Sequence, residues 1–279
     1  DGQGEAEDVA AIAGRGTTAS NDPRFDRDGD GFVAVDDIQQ VAARWLETCT
    51  PLSTCPFFPP DNIWNRRVDT LPLDPSSQAY INSIGPNTGL HPDFGAELWQ
   101  GAPIGIPFIT VASSQPLVPI TFIWYPDESD PGPYPVPPNA PIEGGPNSTG
   151  DRHVLVVEHD ACRLYELYYA WPQTDNSWRA GSGAIFELLT HTLRPDGWTS
   201  ADAAGLPVLP GLVTYDEAAS GQITHALRFT VQHTRRAYVW PARHFASSYT
   251  NPAYPPMGQR FRLKASFDIS AFSPTNQVI

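Results

Sequence analysis

A chain of 279 residues holds one large domain or two modest ones. Its apolar content of 41%, with 11% aromatics, suffices for a core and excludes a globally disordered polymer. The formal charge of −14, from 17 basic and 31 acidic residues, speaks against a nucleic-acid partner, and no apolar run approaches the roughly 18 residues of a membrane span. With 30 prolines, 22 glycines and many Tyr and Trp, the composition reads as an all-β secreted protein and not a helical one.

The first 48 residues stand apart, with 11 acidic and 4 basic side chains. They contain a repeat: Asp8-Val-Ala-Ala-Ile-Ala-Gly-Arg15 aligns with Asp37-Ile-Gln-Gln-Val-Ala-Ala-Arg44, and both place apolar residues at helical spacing after an Asp suited to a helix start. Between them lies Asp26-Arg-Asp-Gly-Asp-Gly-Phe-Val-Ala-Val-Asp-Asp37, twelve residues with the spacing of an EF-hand calcium loop. Asp26, Asp28 and Asp30 supply alternate carboxylates, Gly31 permits the sharp turn, Phe32 offers its carbonyl, and Asp37 closes the ring. A hard cation requires about six to eight oxygens, and this spacing wraps them around one centre.

With Asp at the closing position and a duplicated loop–helix unit, residues 1–48 resemble a type I dockerin. The resemblance implies bound Ca²⁺ and a cohesin-like docking partner; packing against the chain's own β domain is the alternative role. Asp8 as a closing ligand puts the upstream ligands of the first loop before residue 1, so a weak or empty first site and further natural sequence are expected, at this end and beyond Gln277-Val-Ile279.

Residues 49–60 read as a proline- and cysteine-containing linker, and 61–279 as the main β-rich domain. Of the three cysteines, Cys49, Cys55 and Cys162, at most one pair forms: Cys49–Cys55 or Cys55–Cys162. Short runs rich in β-branched and aromatic residues predict strands at 106–112, 118–125, 153–159, 163–169, 183–188, 212–215, 224–231, 237–241 and 260–267. Helices are expected only at 76–84 and as a turn at 200–204. Without strand–helix alternation, the expected fold is mainly β, an antiparallel sandwich or jelly-roll-like domain behind a small helical module. Residues 126–146 contain eight prolines. They read either as a polar cleft wall, with Tyr134 and Glu143, or as a stiff cover over a sheet edge.

The residues that draw attention for chemistry sit at strand ends. Period-two alternation puts Asp151, His153, Leu155 and Val157 on one face of the 153–159 strand and Arg152, Val154 and Val156 on the other. His153 and His225, with Asp151, Glu143 or Glu217 as the acid, are candidates for general acid–base work on a glycan. Arg152 is a charge-neutralising candidate of the kind a uronate lyase needs. Trp178 and Trp198, flanked by polar and turn residues, are candidates to stack on sugar rings, with Tyr134 and His244 beside them. A histidine-based transition-metal site has no compact spacing to support it, and a structural role for each histidine is the competing explanation.

Pro60-Asp-Asn-Ile-Trp-Asn65, Gly150-Asp-Arg-His153 and Tyr238-Val-Trp-Pro-Ala-Arg-His244 give residues 61–279 a resemblance to secreted bacterial proteins of unassigned function. The expectation is an extracellular, polysaccharide-active protein, a glycan-cleaving hydrolase or lyase with a calcium-binding module. The alternatives are a non-catalytic carbohydrate-binding module and an assembly-forming surface protein.

Overall fold

The chain divides into two units, Asp1–Pro51 and Leu52–Ile279, and only the second is described below. The computed structural model describes residues 55–89, 94, 98–99 and 102–279. The calcium-loop residues Asp26, Asp28, Asp30, Phe32 and Asp37, the repeat around them and Cys49 lie outside the described residues.

The unit is mostly sheet. Its strands are β1 (Leu98–Trp99), β2 (Ala102–Pro103), β3 (Phe108–Val111), β4 (Ile120–Phe122), β5 (Val154–Glu158), β6 (Arg163–Tyr168), β7 (Trp171–Pro172), β8 (Trp178–Ala180) and β9 (Ser182–Glu187). They form a two-stranded ribbon β1-β2, a four-stranded sheet in the order β3-β5-β6-β9 and a three-stranded sheet in the order β4-β8-β7. The mainly-β expectation holds. The expectation of purely antiparallel pairing does not, because β3 runs parallel to β5 and β4 parallel to β8. Each of those pairs is joined by a long connection, which leaves the chain free to return in either direction.

β5 explains why the four-stranded sheet sits in the middle of the unit. Its sequence Val154-Leu-Val-Val157 is apolar at every position, so both faces must be covered. Leu155 and Val157 join Leu164, Phe186, Phe58 and Trp64 in one core. Val154 and Val156 join Tyr165, Leu167, Tyr134, Val136 and Trp178 in a second. The first core is closed by the segment after Cys55 and by residues 201–212, the second by the smaller sheet and the proline-rich loop. A disulfide from Cys55 to Cys162, with Cα atoms 5.3 Å apart, ties the start of the unit to the β5–β6 turn. Within the stretch read as a linker, Cys55 and Phe58 are buried, while Pro56 and Pro60 are exposed.

The proline-rich loop is a cover over a sheet edge. The outer edge of β9 would expose backbone donors and acceptors. Instead Gly183 N–H donates to Ser129 Oγ (3.1 Å), Asp130 N–H to Gly183 O (3.2 Å) and Ile185 N–H to the Asp130 carboxylate (2.8 Å). Arg194, its side chain only 2% exposed, pairs with the same Asp130 oxygen that accepts Ile185 N–H and also donates to Glu128 O (2.6 Å).

Four expected strands are absent. Residues 212–215 give way to a 3-10 turn at Leu209–Gly211 and to α2 (Tyr215–Ser220), started by a capping box between Thr214 and Glu217. Residues 224–231 donate singly, Ala226 N–H to Trp64 O and Arg228 N–H to Gly211 O, and Thr230 is an isolated bridge residue, so no ladder forms among the described residues. In 237–241 only Tyr238 bridges, to Met257, and 260–267 is irregular. The expected helix at 76–84 is α1 (Ser77–Ile84), which buries Tyr80, and a short α3 spans Pro274–Val278.

Candidate functional site

The predicted acid–base residues form two dyads. Glu143 Oε2 lies 2.7 Å from His153 Nδ1 and also accepts the His153 backbone N–H at 3.1 Å. Glu217 Oε1 lies 2.7 Å from His225 Nε2. In each dyad the second ring nitrogen faces a carbonyl: His153 Nε2 meets Ala201 O (3.1 Å) and His225 Nδ1 meets Ala226 O (3.1 Å). A carboxylate and a carbonyl can only accept, so both nitrogens of each ring must donate, and each imidazole is held as a cation. The electrostatics agree. Burial depresses both histidines, but the hydrogen bond and charge of the partner carboxylate outweigh it and raise them above 6.5. Burial likewise raises Glu143 and Glu217, and the hydrogen bonds and charge of their histidines, joined at Glu217 by hydrogen bonds from Thr214, more than reverse it, leaving both below 4.5.

Neither ring has a nitrogen free for a substrate proton, and the His225 side chain is 3% exposed. His244 is also tied, with Nδ1 2.8 Å from Ala203 O. Three predicted ligand-facing residues are core. Trp178 is 1% exposed, while Tyr134 and Arg152 are fully buried, so none of them presents a face to a ligand. Trp178 was misjudged because its neighbours are polar, whereas β8 alternates buried, exposed, buried and puts Arg179 outside. Trp198 is half-buried under the Arg194 guanidinium, 5.5 Å from its ring centre.

Arg152 is a latch. It sits at φ +54°, its Nε donates to Ala170 O (3.1 Å), and its Nη1 donates to Pro146 O (3.0 Å) and Ser148 O (2.7 Å). Its guanidinium lies 3.5 Å over the Trp171 ring. Across from it Tyr169, also left-handed at φ +54°, donates its N–H to Asp151 O. Two non-glycine residues in this sparse region face each other where β5 begins and β6 ends.

That corner carries an aromatic run. Trp124 stacks on Tyr169 at 4.5 Å with planes 26° apart, Tyr169 meets Trp171 edge-on at 5.7 Å, and Trp124 lies 5.7 Å from Tyr168. Trp124 is 47% exposed and Tyr125 40%. Both backbone N–H groups donate to Gly181 O, and a Cβ at Gly181 would sit 2.6 Å from the Trp124 ring, so only glycine lets the indole lie there. Asp151, exposed, borders the run beside Tyr168, whose hydroxyl is raised by burial first and by the Asp151 charge second. A groove of about 380 Å³ lies elsewhere, along the free edge of β3 between Ile109–Ala112 and Pro137 and Asn139, and none of the acid–base candidates lines it.

Sequence reasoning passed over Trp124, Tyr168, Tyr169 and Trp171 as site residues. The signal was the density of rings in Trp124-Tyr125 and in Tyr168-Tyr169-Ala170-Trp171, each placed where a strand stops. No helix among the described residues is long and apolar enough to cross a membrane. No protein family, curated protein or solved structure matches the chain.

Proposed function

We propose that the β-rich unit holds polysaccharide on the Trp124–Tyr169–Trp171 face, in an extracellular protein whose N-terminal dockerin-like module binds Ca²⁺. The observation that carries this is the exposed Trp124, stacked on half-buried Tyr169, which in turn meets half-buried Trp171, with the Asp151 carboxylate at the border. A pyranose offers a face of weakly positive C–H groups that suits the negative face of an aromatic ring, and its hydroxyls are donors for Asp151. The rings are pre-positioned by stacking, by the Arg152 latch and by Gly181, so little ordering is left for the ligand to cost. The closed hydrogen-bond sets of His153 and His225 favour retention over cleavage. For the module, the donor set Asp26, Asp28, Asp30, Phe32 O and Asp37 is all hard oxygen and fits Ca²⁺. Docking to a cohesin-like partner follows from the dockerin resemblance.

The test is affinity electrophoresis of the full chain through gels containing soluble neutral polysaccharides, with an assay for reducing and unsaturated ends. Retardation by at least one neutral glycan, lost at least tenfold in Trp124→Ala, supports the reading. No retardation, or an unaffected variant, sinks it, and release of new ends would restore the cleavage alternative.

A further inference from the structure

The overall charge of −14 conceals a local reversal. Residues 222–279 carry seven basic side chains and a single acidic one, Asp268. Most of these cations have partners: Arg228 pairs with Asp202 (3.1 Å), Arg243 with Asp196 (3.3 Å), and Arg260 and Arg262 donate to the Arg66 and Val68 carbonyls. Arg235 and Arg236 are different. Among the described residues neither guanidinium has a carboxylate within ion-pair distance or a hydrogen-bond acceptor; Arg235 Nε is buried without one, as is Arg260 Nη1. Arg236 is exposed, so its guanidinium is the one an acceptor from outside the chain can reach.

The same turn gathers rings. Arg235 N–H is fixed to Pro255 O (3.0 Å) and Arg236 N–H to Tyr249 O (2.6 Å), which brings residues 233–236 against 249–255. His233, Tyr249 and Tyr254 contact one another at 5.1, 5.3 and 5.5 Å between ring centres. Tyr249 is 49% exposed, and Arg236 is exposed with its guanidinium 5.6 Å over Phe245.

We propose that this cluster is a second binding site, for acidic sugar residues of uronate or sulfated type within a polysaccharide. The guanidinium fork matches the planar oxygens of a carboxylate or sulfate, and the tyrosine faces match the C–H face of the ring that bears it. Carboxylate recognition by arginine beside aromatic rings needs both parts, and a neutral glycan satisfies only one. Nucleic acid is the less suitable polyanion, because its charge density, about one per 1.7 Å of duplex, meets strong repulsion from a net-acidic protein. The site is separate in sequence and in chemistry from the Trp124 face, so each can fail alone.

The test uses the full chain in gels containing polygalacturonate or neutral hydroxyethyl cellulose, with a single-stranded oligonucleotide as competitor. Polygalacturonate is expected to retard the wild type, and R235Q/R236Q to weaken this at least tenfold while neutral-glycan retardation is unchanged. Trp124→Ala should leave the polygalacturonate effect in place. Should the double variant melt early, Arg236→Gln alone, at an exposed position, is expected to show the same loss in smaller degree. The proposal is overturned if polygalacturonate does not retard the chain, or if the arginine variants bind it as the wild type does. It is also overturned if the oligonucleotide displaces the chain as effectively as polygalacturonate does.

Discussion

Glu166 lies at the centre of β6, fully buried, and its carboxyl group accepts the backbone N–H groups of Val208 (2.9 Å to each oxygen) and Leu209 (2.9 Å). It thereby holds the turn at Leu209–Gly211 against the sheet. Burial pushes it from 4.5 up to about 7, against the pull of those donors. The folded state therefore keeps a proton that the unfolded chain loses, and stability falls as pH rises between those values. A displacement of this size is worth about 3 kcal/mol. The dyads set the rest of the profile. His153 and His225 are raised, so their contribution is complete below 6.5 and is lost as pH climbs through their folded values. Glu143 and Glu217 are lowered, so theirs is complete above 4.5 and is lost as pH falls. The dyads are both complete between about pH 4.5 and 6.5, and the Glu166 contribution declines across that window, so maximum stability is expected at its lower end, near pH 4.5. In Glu166→Gln the neutral form is permanent, so the stability gap between wild type and variant should shift by about 3 kcal/mol between pH 4.5 and 7.5. Urea unfolding at half-unit pH steps measures both curves, and parallel curves would refute the buried-proton account.

Three further outcomes follow from the same contacts. Replacing Cys55 and Cys162 with serine opens a closure spanning 107 residues and should cost about 5 kcal/mol by chain entropy, read as a lower urea midpoint; a loss under about 1 kcal/mol contradicts the pairing. Asp130→Ala leaves the Arg194 guanidinium without its carboxylate and uncovers Ile185 N–H, so a loss of about 2 kcal/mol and concentration-dependent sedimentation are expected. EDTA should lower the helicity of the full chain and its melting temperature, and unchanged values for both would discard the calcium loop of residues 26–37.

The central sheet was legible because β5, β6 and β9 are runs of five or six residues rich in β-branched and aromatic side chains, and the face assignment of Leu155 and Val157 against Val154 and Val156 follows from period two. The later strands were misread because residues 212–267 have strand-like composition but, among the described residues, form nothing longer than isolated bridges. Their donors go to isolated carbonyls such as Trp64 O and Gly211 O, and no sequence pattern reports a partner 160 residues away. The loop at 126–146 allowed two readings, and the deciding fact was tertiary: Ser129 and Asp130 meet the β9 edge. For the site, sequence expected His153 and His225 to share a site with one acid out of Asp151, Glu143 and Glu217, whereas each histidine takes its own carboxylate, Glu143 and Glu217. What sequence does not show is the second partner of each ring, a backbone carbonyl in both cases.

Those second partners also explain why the surface chemistry lies beside the dyads and not in them. Each dyad joins two segments that no sheet ladder connects: Glu143 and Ala201 meet at His153, and Glu217 meets the 225–226 segment. An imidazolium held by two acceptors is well suited to that task, since it satisfies a carboxylate and a carbonyl with one rigid ring. A proton relay needs the reverse, one nitrogen left open to exchange. By fixing residues 143 to 153, the His153 dyad and the Arg152 latch define where Asp151 and the Trp171 ring stand, and Gly181 defines where Trp124 stands. The buried charges act as positioning groups, and what they leave at the surface is the exposed Trp124 and the Asp151 carboxylate, the groups on which the proposed glycan face rests.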